Sequence, residues 1–216
     1  MPGVVATPAW KRRYKGLSWY PGDTVMAGIG QSFTQVTALQ LAAGTATIAN
    51  KGIRYIPHLV RGEQTLNQPF ELHTPKTLPP VVLRDNTIWT IIINGMQGVI
   101  TSHEGTGFRF GKIGPYTVAA KTGTAQVHSI KNYNSHEDHE DQSKLPERLR
   151  DNSLFIAFAP VEKPQIAIAI NVENANQAAI IARKILDYYL LGLPVLRDPL
   201  TKHILENTNH ATQKTG

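Results

Sequence analysis

The sequence predicts an α+β fold in which an antiparallel sheet is packed by helices. Three β-branched or small apolar segments are the candidate strands, at about residues 116–127, 154–159 and 165–173. The second and third are joined by a short loop with proline at both ends, Pro160 and Pro164, which is typical of a hairpin. Three segments have apolar residues at helical spacing and are predicted to pack on the sheet, at about 34–50, 86–99 and 176–191.

Each predicted helix has its own start and stop signals. For the first, a glycine turn at Gly28–Gln31 leads in, Ser32 or Thr34 is a candidate cap, and Gly52 ends it. The second begins at Asp85 or Asn86. Its apolar face holds Trp89, Ile92, Ile93, Met96 and Val99. The third ends before Gly192 and is expected to turn inward the residues Ala178, Ile181, Ala182, Ile185 and Tyr189.

Length and composition suit a globular protein with one sizeable core. The chain has 216 residues, of which 41% are hydrophobic and 18% charged. We expect residues 1–200 to form one structural unit, with an irregular surface segment at 1–24, and residues 201–216 to be a polar tail. The absence of cysteine excludes disulfides, thiolate metal sites and a cysteine nucleophile.

The net charge of +6 permits an anionic partner. The basic residues are nevertheless scattered, apart from the cluster Lys11–Lys15, which we expect to be solvated rather than a nucleic-acid arm. No apolar run approaches the roughly 20 residues that span a bilayer, and the first residues do not resemble a signal peptide. The chain expressed as written is therefore expected in the cytoplasm.

The first predicted strand carries the most informative residues, Lys121, Thr122, Gly123 and Thr124. A lysine within a strand is costly to bury unless it is paired, and glycine weakens a strand unless a ligand or another backbone comes close. This pattern indicates a strand edge that receives an anion. The alternative is an ordinary exposed lysine on an edge strand.

Several longer strings resemble the class B penicillin-binding proteins. Lys-Thr-Gly belongs to the motif set of penicillin-binding proteins and serine β-lactamases. The strings that carry the resemblance are Trp19-Tyr20-Pro21-Gly22-Asp23-Thr24, Gly28-Ile29-Gly30-Gln31 and Ala119 to Val127. Two later strings, Glu147 to Asp151 and Phe155 to Pro160, narrow the resemblance to the penicillin-binding protein 2 group of Gram-negative bacteria.

The resemblance implies the C-terminal part, residues 1–200, of a penicillin-binding transpeptidase domain. Such an enzyme cross-links peptidoglycan stem peptides during cell elongation, on the periplasmic side of the inner membrane, and needs no metal or cofactor. A serine attacks the penultimate D-Ala carbonyl of a D-Ala-D-Ala end, which β-lactams mimic. Partners implied for the full-length family are the stem peptide, β-lactams and the elongation machinery, with no nucleic acid.

The same resemblance assigns roles to the residues of the strand. Lys121 supplies positive charge beside the serine and the substrate carboxylate, and the hydroxyls of Thr122 and Thr124 donate to that carboxylate. Gly123 leaves room for the ligand backbone. The backbone N–H of Thr124 is one of two donors of the oxyanion hole, the other being the N–H of the serine.

The sequence departs from the family at the serine motifs S-x-x-K and S-x-N. Its serines are Ser18, Ser32, Ser102, Ser129, Ser135, Ser143 and Ser153. None is followed by lysine three places later or by asparagine two places later. We therefore expect a truncated or cut chain that retains the substrate-binding strand and is inactive alone.

Two other functional hypotheses stay open beside a partial transpeptidase. One is a non-catalytic remnant or interaction module of the cell-wall machinery, and the other is a basic nucleic-acid binder. The polar stretch at 128–152 contains His136 and His139, whose spacing could chelate zinc weakly, but a solvated loop is the preferred interpretation.

Overall fold

The computed structural model describes residues 3–107, 110, 114–125 and 146–192. The α-helices are α1 Pro8–Lys15, α2 Pro21–Gly28, α3 Ala38–Ala49, α4 Thr87–Thr101 and α5 Ala178–Leu191. The strands are β1 Arg54–Tyr55, β2 Gly62–Glu63, β3 Glu71–Leu72, β4 Thr77–Leu78, β5 Ala119–Ala125, β6 Asn152–Ala159 and β7 Ile166–Val172. A short 3-10 helix, Glu147–Leu149, precedes β6.

The three long strands form one antiparallel sheet in the order β5-β6-β7, which confirms the predicted fold class. In this register Lys121 lies opposite Ile156, and Gly123 lies opposite Leu154. The four short strands form two separate pairs, β1 with β4 and β2 with β3. Among the described strands, β5 has a neighbour on one side only, so its other edge is open.

Helices cover both faces of the sheet because β5 and β6 are apolar on both sides. On one face, Val118, Ala120 and Phe155 are buried with Ala182 and Leu186 of α5. The opposite face packs against α3 and α4. There, Ala119 and Phe158 of the sheet are buried with Ala49 of α3 and with Ile93 and Met96 of α4. At about 25 cal/mol per Å² of apolar surface, these two clusters are the main source of stability.

The expectation of an irregular segment at 1–24 is wrong, because all of α1 and the start of α2 lie within it. Thr7 caps α1 by accepting a hydrogen bond from the N–H of Trp10, and Pro8 fits the first helical position. Gly16, with φ of 66°, ends the helix in the left-handed conformation. The basic cluster is also not uniformly solvated, since Lys11 is only 4% exposed.

The other predicted elements appear with shifted ends. Helix α3 begins at Ala38 rather than near 34, because Thr37 and Gln40 form a capping box. In α5 the buried residues are Ala178, Ala182 and Leu186, whereas Ile185 and Tyr189, expected inside, are 39% and 57% exposed.

Some sequence-based interpretations fall outside the described residues. These are the end of the first predicted strand at 126–127, most of the polar stretch, at 128–145, with the zinc candidates His136 and His139, and the tail at 201–216. Within the part of the chain that is described, no helix is long and apolar enough to cross a membrane.

Candidate functional site

The residues singled out by sequence, Lys121, Thr122, Gly123 and Thr124, all lie in β5 at the open edge of the sheet. The first half of this strand, Ala119 and Ala120, is fully buried, and Lys121 is the first exposed position. The strand therefore runs out of the core at the lysine. This avoids the cost of burying an unpaired ammonium.

Two backbone carbonyls of β5 accept hydrogen bonds from side chains. The ammonium of Lys121 donates to the carbonyl of Thr122 at 2.7 Å, and the amide nitrogen of Gln31 donates to the carbonyl of Thr124 at 3.0 Å. In an antiparallel ladder, alternate residues turn both their N–H and C=O away from the paired strand. Thr122 and Thr124 belong to this outward set, so the N–H groups of both point to the open edge.

Gln31 was not predicted as a site residue. It lies on the turn after α2, between Gly30 with φ of 79° and Ser32 with φ of 78°. A left-handed serine is uncommon and carries local strain, which persists only where the surrounding structure holds it. The sequence signal was the Gly28–Gln31 turn. It was interpreted as the approach to a helix and as one of the strings that carry the family resemblance, but neither interpretation indicated its contact with Thr124, which spans 93 residues.

Helices α1 and α2, which carry this turn, are joined by a salt bridge. The ammonium of Lys11 lies 2.6 Å from a carboxylate oxygen of Asp23, and the side chains are 6% and 15% exposed. The same oxygen accepts the N–H of Tyr20 at 2.7 Å, as part of the cap of α2. The bond from Lys11 and the Tyr20 N–H hold the pKa of Asp23 below its ordinary value of 3.8.

The hydroxyl of Thr122 forms a hydrogen bond with the hydroxyl of Thr106, with 2.7 Å between the two oxygens. Thr106 lies in the loop after α4. The next residue, Gly107, is buried so closely that an added Cβ would lie 2.7 Å from Cδ1 of Ile100. When the hydroxyl of Thr106 donates to that of Thr122, Thr122 can donate its own proton to a ligand. When Thr122 donates to Thr106, the oxygen of Thr122 can accept from a ligand.

The turn and the strand enclose a cleft of about 580 Å³. It is lined by the turn residues Ile29 to Ser32, by Thr34, Gln35, Val36 and Leu41, by Lys121 to Ala125, and by Asn152, Leu154, Ile156 and Asn171. Lys121 is the one ionisable side chain among these lining residues. A ligand in this cleft would therefore meet a single positive charge on neutral walls, an arrangement that favours an anion.

A second cavity of about 350 Å³ adjoins the cleft at Thr124. Its lining includes Arg150, Asn152 and Asn174. Asn174, with φ of 55°, lies in the turn after β7, and its N–H donates to the side chain of Asn152 at 2.9 Å. Thr124 lies at the junction of the two spaces.

The structure thus brings together all four predicted strand residues and adds Gln31 and Thr106. In the described residues there is no group of three or more histidine, aspartate or glutamate side chains suited to hold a metal ion. The histidines considered for zinc lie outside that part of the chain.

The fold and the edge strand define a class of protein. The sequence matches the penicillin-binding protein transpeptidase domain over residues 4–187. The chain belongs to that family.

Within the family, several of the relatives are peptidoglycan D,D-transpeptidases named MrdA. The peptidoglycan D,D-transpeptidase MrdA of Escherichia coli K12 is 35% identical over 196 residues, covering 88% of this chain and 30% of the relative. MrdA of Acinetobacter baumannii is 38% identical over 198 residues, covering 88% of this chain and 27% of the relative. The chain thus spans less than a third of the length of these relatives.

Solved structures of penicillin-binding protein 2 are also similar to this chain. Pseudomonas aeruginosa PBP2, solved in complex with WCK 5153, has a TM-score of 0.67 and 36% identity, covering 88% of this chain and 38% of that one. Helicobacter pylori PBP2, solved in complex with MreC, has a TM-score of 0.66 and 27% identity, covering 88% and 31%.

Proposed function

We propose that this chain is the substrate-carboxylate-binding part of a peptidoglycan D,D-transpeptidase, and that β5 holds the D-Ala-D-Ala end of a stem peptide. The observation that carries the proposal is the cleft beside β5, where Lys121 is the one ionisable lining residue and the N–H groups of Thr122 and Thr124 point to the open edge. This set of donors suits a ligand that has a terminal carboxylate next to a carbonyl group under nucleophilic attack.

Each group has a part in the proposed chemistry. The carboxylate of the terminal D-Ala binds Lys121 and the hydroxyl of Thr122, which Thr106 orients. The N–H of Thr124 donates to the carbonyl oxygen of the penultimate D-Ala and stabilises the oxyanion that forms on attack. A donor of this kind contributes about 2.7–4 kcal/mol to lowering the barrier.

The attacking serine comes from outside this sequence in our proposal. None of the seven serines is followed three places later by a lysine that could serve as its base. Accordingly, the chain binds the peptide end but forms no acyl-enzyme by itself. A fluorescent penicillin should leave no covalent band on a denaturing gel, and a band would contradict this part of the proposal.

Binding is tested by calorimetric titration of the full chain with acetyl-D-Ala-D-Ala and with the same peptide carrying a C-terminal amide. We expect the free acid to bind at least about fivefold more tightly, because only the acid pairs with Lys121. Lys121→Met should remove that preference. The matched control is Lys163→Met, since Lys163 is an exposed lysine on the β6–β7 turn.

Two results would overturn the binding role. One is equal affinity for the acid and the amide in the wild-type chain. The other is an unchanged preference in Lys121→Met while circular dichroism shows that the variant is folded.

The elongation machinery is the proposed setting. The support is that the H. pylori PBP2 structure is a complex with MreC and that the curated relatives are peptidoglycan D,D-transpeptidases. Acting on peptidoglycan would place the working domain on the periplasmic side of the inner membrane. A non-catalytic interaction role is the second candidate, favoured by exposed apolar side chains on α2 and α3, such as Val25 and Leu39.

A further inference from the structure

The segment that joins α3 to α4 forms an exposed β-ribbon in which none of residues 53–82 is buried. In its distal part, β2 and β3 pair with each other and have no other described strand beside them. Leu59 is fully exposed and Leu66 is 87% exposed, which makes them the two most exposed large apolar side chains in the described part of the chain. A two-stranded pair is marginally stable by itself, and exposed apolar side chains of this kind mark an interaction surface.

The free edge of β2 presents a backbone donor and a backbone acceptor at Gly62. The N–H of His73 donates to the carbonyl of Arg61 at 3.0 Å, so Arg61 directs its backbone groups towards β3. In an antiparallel ladder the next residue directs its own groups away from the paired strand. That residue is Gly62, which lies opposite Leu72. Its N–H and C=O therefore face the free edge, where an extended chain can pair with them.

The residues on either side of Gly62 carry opposite charges. Arg61 and Glu63 are two positions apart, so their side chains share one face of the ribbon. Glu63 also lies directly opposite Glu71, an arrangement of like charges that is destabilising. The ring of His73, 3.5 Å from Glu63, offsets this repulsion only when it is protonated. Among the described residues Arg61 makes no ion pair, so this face presents a guanidinium and a pair of carboxylates to a partner.

A second copy of β2 complements this edge. When two such strands pair antiparallel about Gly62, the two glycines exchange two N–H···O hydrogen bonds. Arg61 of each copy then lies directly opposite Glu63 of the other. Pairing centred on Arg61 or on Glu63 would instead set like charges against each other, so the charges also select the register. In the register centred on Gly62, Leu59 of one copy lies beside the end of the other strand that leads to Leu66.

We propose that β2 is a homodimer interface, in which the strands of two copies pair antiparallel about Gly62 and form a four-stranded sheet in the order β3-β2-β2-β3. The contact is isologous, because each copy supplies the same edge. It is also short, so the dimer is weak and reversible, with a dissociation constant on the order of 10–100 μM. This inference does not depend on the proposed binding of a D-Ala-D-Ala end, because the ribbon does not line the cleft beside β5.

The test is sedimentation equilibrium of the full chain over about 1–500 μM, a range that brackets the expected dissociation constant. We expect Arg61→Glu and Glu63→Arg each to weaken self-association by at least about tenfold, because each places like charges opposite each other at both symmetric contacts. The matched control is Lys76→Glu, the same change of charge at an exposed lysine of the ribbon. It should alter the dissociation constant by less than about twofold.

Mixing the two charge-reversal variants makes the test specific to this register. An equimolar mixture of Arg61→Glu and Glu63→Arg should form a heterodimer with nearly the affinity of the wild-type dimer, because the carboxylates of one variant then face the guanidinium groups of the other at both contacts. A wild-type chain that stays monomeric over the whole range would overturn the proposal. So would self-association that neither reversal weakens, or a mixture that stays monomeric while circular dichroism shows both variants to be folded.

Discussion

Lys11 and Asp23 form a nearly buried salt bridge, 2.6 Å long, between the first two helices. The ammonium also lies 5.1 Å from the centre of the Tyr20 ring and 5.8 Å from that of Phe33. The negative faces of aromatic rings attract an ammonium group at such distances. The pair therefore fixes the two short helices that deliver Gln31 to the edge of β5.

This relationship predicts a pH dependence of stability. The folded pKa of Asp23 lies below its ordinary value of 3.8, so the unfolded chain takes up the proton first as the pH falls. The resulting stabilisation is fully present above about pH 5 and is lost as the pH falls through 3.8 towards the folded pKa. Thermal unfolding at pH 7 and pH 3 should show a larger loss of Tm for the wild type than for Asp23→Asn.

Other carboxylates, including Asp85 with its lowered pKa, are common to both proteins and cancel in that comparison. Parallel curves of Tm against pH for the wild type and Asp23→Asn would show that the salt bridge contributes nothing to stability.

Tyr116 and Asp187 join the start of β5 to α5. The buried phenol donates to the carboxylate of Asp187 at 2.6 Å, and Arg183 donates to its other oxygen at 2.7 Å. We expect Tyr116→Phe to lower the free energy of unfolding by about 1–2 kcal/mol, because a hydrogen bond to a charged group is lost. Urea denaturation measures this change in the free energy of unfolding. Tyr188→Phe, at a residue 60% exposed on the same helix, should cost less than about 0.5 kcal/mol.

The same phenol predicts behaviour at alkaline pH. Burial, followed by the bond to Asp187, raises the pKa of Tyr116 above its ordinary value of 10.0. The unfolded chain therefore loses this proton first, and stability falls as the pH rises above about 10. Tyr116→Phe should lose less stability than the wild type over that range, and an identical decline would contradict the assignment.

Gly52, which ends the turn after α3, is predicted to be intolerant of a side chain. Its φ is 101°, and an added Cβ would overlap the carbonyl oxygen of Val81 and lie 3.1 Å from the Trp89 ring. We expect Gly52→Ala to cost about 2 kcal/mol or more by urea denaturation. Gly44→Ala, in the interior of α3 with open space around it, should instead stabilise the chain by about 0.5–1 kcal/mol.

Gly123 tests the cleft without a change of charge. An added Cβ would lie 3.3 Å from Cβ of Leu154 across the strand pair, so alanine fits only with a small shift. Gly123→Ala should alter the free energy of unfolding by less than about 1 kcal/mol, whereas Gly123→Val should weaken binding of acetyl-D-Ala-D-Ala by about tenfold or more. Calorimetry with Gly44→Ala as the control measures the effect. Unchanged binding in a folded valine variant would place the ligand elsewhere.

Much of the fold was predictable because its signals are local. The three long strands and the three longer helices were recognised from alternation, helical periodicity and flanking turn residues, whereas the four short strands β1 to β4 were not predicted. Helices α1 and α2 were missed although Thr7, Pro8 and Gly16 are ordinary start and stop signals. At eight residues each they are too short to be stable alone, and the Lys11–Asp23 pair that holds them together spans twelve positions.

The face that α5 turns towards the sheet was also not predictable from local signals. Periodicity alone placed Ile185 and Tyr189 inside, but the residues of α5 that are buried against the sheet are Ala178, Ala182 and Leu186. The two alanines allow the helix to lie close to Phe155 and Ala157. Which of two adjacent apolar stripes is buried depends on the shape of the opposing surface.

By itself, the sequence determined the α+β class, the family and the strand that carries Lys121, Thr122, Gly123 and Thr124, because these are properties of local pattern and of motif. Only the tertiary structure decided that Thr106 holds the hydroxyl of Thr122 and that Gln31 donates to the carbonyl of Thr124. The physical reason is that a backbone edge takes its hydrogen-bond partners from any segment that folding brings near, and sequence spacing carries no record of that proximity.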